Sequence, residues 1–141
     1  MTEAELLEAI EADLPPYARN LKMQVVGLDK GAPVIALDFD NSVEGRPSFL
    51  HGGAIGGLLE VAGFAALRAL CLREARQVRL KPINLSVEYL RGAGRDRTFA
   101  SGRINRAGRR NANIVVEAWQ AERAAPVAEA VMNILIVPTE G

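Results

Sequence analysis

Apolar positions follow a helical period at the start of the chain and a strand period through its second half. Leu6, Ile10 and Leu14 recur at four-residue spacing with Leu7 beside them, and Thr2 with Glu5 has the form of a capping box. Residues 2–13 therefore predict a short amphipathic helix. Pro15-Pro16 stops it, because proline donates no hydrogen bond and restricts the residue before it. Residues 23–28 and 34–39 are short apolar runs around Asp29-Lys30-Gly31, the pattern of a hairpin, and residues 41–49, with Gly45 and Pro47, read as a loop. After Pro82, Ile83, Leu85, Val87 and Tyr89 alternate with Asn84, Ser86 and Glu88, as in a half-buried strand. Residues 98–105, 112–119 and 127–137 are the remaining strands, and Pro138 ends the last.

One segment shows neither period. Across residues 51–70, from Ala54 onward, the only charged residues are Glu60 and Arg68, and apolar side chains cover nearly every helical face. A helix apolar all round is either buried or membrane-spanning. The run falls short of the roughly 20 apolar residues a span needs, and Glu60 interrupts it, so a buried central helix is expected. The order is helix, two strands, buried helix, four strands, and strands joined by short turns pair antiparallel. The expectation is an α+β domain formed by residues 1–141: an antiparallel sheet of about six strands wrapped around one long buried helix, with a short N-terminal helix. Such a sheet has a second face and two edges, so pairing with another copy is expected.

The 141 residues include 17 Lys plus Arg and 17 Asp plus Glu, and this balance argues against a nucleic-acid partner. A composition 49% hydrophobic and 24% charged is that of a globular core. Cys71 is the only cysteine and His51 the only histidine, which excludes an intramolecular disulfide and metal sites built from Cys or His clusters. The first 25 residues lack a basic start and an apolar block, so no secretory signal is read and a cytoplasmic location is expected.

Glu60 needs an explanation. Carboxylates are rarely buried unless paired, and desolvation raises a carboxyl pKa by up to about 3–5 units. The positions three and four residues away are Gly56, Gly57, Gly63 and Phe64, none of them a cation. An acid facing an interior or interface cleft suits general-base or nucleophilic work. The alternative is that Glu60 reaches an exposed spot or pairs with a distant arginine. Gly56, Gly57 and Gly63 predict close backbone approach, since glycine inside a helix costs roughly 1 kcal/mol relative to alanine. Gly52 and Gly53 fall at the helix start, where the first N–H groups lack partners and the dipole adds positive charge. Bare amides there polarise a carbonyl or hold an oxyanion. Glu60 lies roughly 12 Å along the axis from Gly52, so it is expected to serve the Gly52 amide of a partner across a two-fold axis. His51 either assists chemistry or hydrogen-bonds locally to fix the loop.

His51-Gly52-Gly53 with Glu60 behind it, followed by Asn84-Leu85-Ser86-Val87-Glu88-Tyr89-Leu90-Arg91, resembles the hotdog-fold acyl-CoA thioesterases, and among them the phenylacetate-degradation (PaaI-like) branch. The likeness runs from about residue 34 to residue 137 and includes Gly108-Arg109-Arg110 and Val127-Ala128-Glu129-Ala130. It implies a helix wrapped by an antiparallel sheet, paired into homodimers and often into tetramers as dimers of dimers. It further implies that the Gly52 amide, with Gly53 and His51 beside it, polarises the thioester carbonyl. Glu60 then activates water or attacks the carbonyl, on a coenzyme A thioester as substrate with no further cofactor. Relatives often place Asn or Gln six residues before the histidine, where this chain has Gly45, and some carry a polar residue four after the acid, where it has Phe64.

Residues 91–110 carry Arg91, Arg95, Arg97, Arg103, Arg106, Arg109 and Arg110 against Asp96 alone. Arginine pairs bidentately with phosphate, so one or two of these are expected on coenzyme A and the rest on a solvated strand face or edge. Arg91, Arg109 and Arg110 join Asn84 and Ser86 as the candidate substrate-binding residues. Phe99 is the only aromatic among them, which again argues against nucleic acid. Ala54, Ala62 and Ala65 leave room for an aryl or medium-length acyl group. The rival readings are an acyl-CoA or acyl-carrier binding protein without hydrolysis, and an enoyl-CoA hydratase or dehydratase, which needs a His–acid pair and has only His51 to draw on.

Overall fold

In the computed structural model, which describes residues 1–139, the strand-period segments pair into a six-stranded antiparallel sheet of order β1-β2-β4-β5-β6-β3. β1 (Gln24–Asp29) and β2 (Ala32–Leu37) form the expected hairpin. Lys30 and Gly31 both hold positive φ, 49° and 83°, in the two-residue turn whose twist matches the flanking strands. β4 (Thr98–Ala107), β5 (Asn111–Trp119) and β6 (Ala128–Pro138) follow the predicted runs closely.

β3 (Val78–Tyr89) starts five residues before Ile83 and runs through Pro82. Proline is tolerated because β3 is an edge strand, with β6 as its one neighbour and an irregular register between Pro82 and Asn84. The irregularity also turns Ile83 out of the inward set, while Leu85 and Val87 are half-buried and Tyr89, on their side at the strand end, is exposed.

The unperiodic segment is α3 (Gly52–Arg73), the central helix. Its 22 residues are long and apolar enough to cross a membrane, contrary to the expected shorter run, but α3 lies against the sheet. Leu58, Leu59, Ala62, Leu67 and Ala69 are wholly buried there, with Ile114 and Val116 of β5 and Met132 and Ile134 of β6 in the same core. Burial is not all round. Gly53, Gly56, Gly57, Glu60, Phe64 and Arg68 form a stripe that the sheet leaves uncovered.

The N-terminal helix α1 (Glu3–Ala12) carries both halves of the capping box, and Leu6 and Ile10 bury its inner face. Pro15-Pro16 does more than stop it. Pro16 opens a second short helix, α2 (Pro16–Asn20), at a position where its missing N–H costs nothing. On the opposite face of the sheet an asparagine ladder runs Asn105–Asn113–Asn133–Asn84 at 3.0, 2.9 and 2.8 Å.

Candidate active site

Glu60 lies on the uncovered stripe of α3 and lines a cavity of about 380 Å³ between α3 and the N-terminal helices. Its expected burial does not hold in the single chain. The carboxylate is exposed, because the stripe that carries it faces away from the sheet. Ile10, Leu14, Pro15, Val61, Phe64 and Ala65 supply apolar walls. Arg68, about two turns further along, lines the same cavity but is paired with Asp13, Nε to Oδ2 at 3.2 Å. Among the described residues, none forms an ion pair with Glu60. Tyr17 of α2 completes the wall by lying across Gly57. A Cβ at Gly57 would fall 2.6 Å from the Tyr17 ring Cε2, 2.7 Å from Cζ and closer still to the hydroxyl oxygen.

The start of α3 is almost closed. His51 is its N-cap, and Nδ1 accepts from the Gly53 N–H at 2.7 Å. The Ala54 and Ile55 amides both donate to the His51 carbonyl, at 3.0 and 3.1 Å. Gly53 is therefore not a bare donor, and of the first-turn amides Gly52 N–H alone has no partner among the described residues. The tautomer that accepts at Nδ1 carries its proton on Nε2. The Tyr89 hydroxyl donates to the Gly52 carbonyl at 2.9 Å and braces this turn from β3. A Cβ at Gly45 would lie 2.9 Å from His51 Cα, so a side chain there would displace the loop that seats the cap.

Gly52 opens on a second cavity, of about 320 Å³, that Arg46, Phe49, Tyr89 and Arg91 also line. The Arg46 guanidinium stacks over Phe49, 3.9 Å from the ring centroid, and Arg91 Nε donates to the Pro126 carbonyl at 3.1 Å. Arg109 and Arg110 are elsewhere. Arg76, just past the last turn of α3, donates to the Gly108 and Arg109 carbonyls, which places that turn at the far end of the helix. By helical rise that is roughly 30 Å from Gly52. Asn84 ends the asparagine ladder and Ser86 pairs with exposed Val131, so both point to the sheet face away from α3. A larger cleft of about 680 Å³, lined by Arg73, Arg103, Glu117 and Arg123, contains neither Glu60 nor Gly52.

The structure thus gathers Gly52, His51 and Arg91 at the helix start and sets Glu60 in its own cavity further along. Tyr17, Tyr89 and Arg46 join these surroundings without having been singled out. Tyr17 follows a Pro-Pro pair that reads as a stop, Tyr89 sits in a strand alternation, and nothing local marks Arg46.

A central helix wrapped by an antiparallel sheet, with an acid on its uncovered stripe and one open amide at its start, defines a hotdog-fold protein, as the resemblance implied. The thioesterase superfamily profile matches residues 48–127, more than half the chain, and the chain belongs to that superfamily. A Chromobacterium violaceum protein of solved structure is 30% identical, covers 97% of each chain and has a TM-score of 0.73. A mutant thioesterase from Pseudomonas aeruginosa is 20% identical, covering 99% of this chain and 96% of its own at a TM-score of 0.78. A mutant of the phenylacetic acid degradation protein PaaI from Thermus thermophilus is likewise 20% identical, covering 86% and 98% at 0.73. The last two share the fold. No curated protein gives a match.

Proposed function

We propose that the protein hydrolyses the thioester of an aryl- or medium-chain acyl-CoA, acting as a dimer in which Glu60 of one copy faces the Gly52 amide of the other. The observation that carries this reading is Glu60 standing, among the described residues, without an ion-pair partner in a largely apolar cavity, on the helix whose first turn keeps one amide open. Along one helix those groups are roughly 12 Å apart, too far to act on the same carbonyl, so the site draws one from each copy. The amide polarises the carbonyl oxygen as negative charge develops on it. Glu60 takes a proton from water while the water oxygen bonds to the carbonyl carbon, or its own oxygen makes that bond first. The C–S bond breaks, sulfur leaves as the thiolate of coenzyme A and is reprotonated, and by the second route water then opens the anhydride. Both routes consume one water and release an acid and a thiol. Arg46 and Arg91, beside Gly52, are the cations we assign to the phosphates.

The test is an acyl-CoA panel with thiol detection on wild type and Glu60→Gln. Cys71 does not interfere, since it is wholly buried and burial pushes its thiol pKa up. Glu60→Gln is expected to lose about 100- to 10,000-fold in kcat with an unchanged circular dichroism spectrum. Equal thiol release by both proteins would overturn the role of Glu60, and tight acyl-CoA binding without release by wild type would establish the binding-protein reading instead.

A further inference from the structure

We infer that the Tyr17 hydroxyl holds the attacking water for Glu60, an inference that rests on the thioesterase reading above. Either route to the products delivers a water to an acyl carbon, and a water held only by the group that deprotonates it is poorly aimed. The cavity around Glu60 offers few second holders. Its walls are mostly apolar, and Asp13 and Arg68 are occupied with each other. The polar group left on the wall is the Tyr17 hydroxyl, which both donates and accepts.

Its position is built rather than incidental. Pro16 opens α2, and wholly buried Ala18 anchors that helix, so the ring is presented from a fixed turn. The ring reaches its seat only because residue 57 has no side chain: a Cβ there would lie 2.6 Å from ring Cε2. The hydroxyl oxygen thus lies against the position a residue-57 Cβ would take, one helical turn before Glu60. Cβ atoms three apart on a helix are about 5–6 Å from one another, which puts the hydroxyl on the same stretch of wall as the Glu60 side chain, in range for a water held between them. Tyr17 is then a positioning residue supplied by the N-terminal helices, and Gly57 is the residue that admits it.

The experiment measures kcat and KM for the best acyl-CoA on the full-length protein as wild type, Tyr17→Phe, Gly57→Ala and Glu60→Gln. Tyr17→Phe keeps the ring and the wall and deletes only the oxygen, so kcat should fall about 10- to 100-fold with KM within about threefold. Gly57→Ala, which drives the ring off its seat while Tyr17 remains, should lower kcat to a similar extent. Wild-type kcat in Tyr17→Phe, beside a crippled Glu60→Gln, overturns the inference and leaves the function standing. A rise in KM alone also overturns it, because it makes Tyr17 a wall and nothing more. Equal turnover in all four proteins removes the role of Glu60 first and this inference with it.

Discussion

Gly63 sits where α3 crosses β5 and β6, and a Cβ there would fall 2.8 Å from Met132 Sδ and 2.9 Å from Val116 Cγ2. Helix propensity favours alanine at such a position by roughly 1 kcal/mol, but there is no volume for a side chain. Gly63→Val should therefore destabilise the protein by at least about 2 kcal/mol, read from the urea midpoint at constant m-value. An unmoved midpoint would show that the sheet yields. Sequence alone groups Gly56, Gly57 and Gly63 as close-approach glycines, and their neighbours separate them. Gly57 meets Tyr17, Gly63 meets the sheet, and a Cβ at Gly56 would have only the Tyr89 hydroxyl, 3.6 Å away. Glu60 was legible as the residue out of place in an apolar run. Whether it is buried or exposed was left open, because the run shows no polar face to mark the uncovered stripe.

His51 begins α3 as a side-chain cap, and that role can be separated from chemistry. His51→Ala removes the acceptor of the Gly53 amide and should lower stability by about 1 kcal/mol in denaturant, the usual cost of losing an N-cap. No loss of stability would mean that another group or water satisfies the amide. The elements themselves were largely readable from periodicity and caps. The largest departures both involve proline: α2 is missed because Pro16 starts a helix, and β3 is begun too late because Pro82 lies within it. Proline reads as a breaker until it is known to stand at a first turn or on a sheet edge.

At the scale of the molecule, β3 is a 12-residue edge with Ile83, Tyr89 and Leu90 at 58%, 56% and 46% exposure on or just beyond it. A long edge with apolar side chains is a template for pairing with another strand. We expect the proposed dimer to pair along it, so wild type should run as a dimer or larger in light scattering. Ile83→Lys should shift it toward monomer and lower thioester turnover in parallel, because the proposed site spans two copies. A monomeric wild type with full turnover would refute the shared site.

The sequence by itself determined the element order, the antiparallel pairing, the apolar central helix and the two chemical signals, His51-Gly52-Gly53 and Glu60. All of these rest on local spacing and side-chain type. Tertiary structure alone decided that α3 leaves one stripe uncovered, that Tyr17 lies across Gly57, that Ile83 turns outward, and that Arg109 and Arg110 sit at the opposite end of α3 from Gly52. Those outcomes depend on contacts between residues distant along the chain, and on a register that shifts near Pro82, where no local pattern records which partner fills the space.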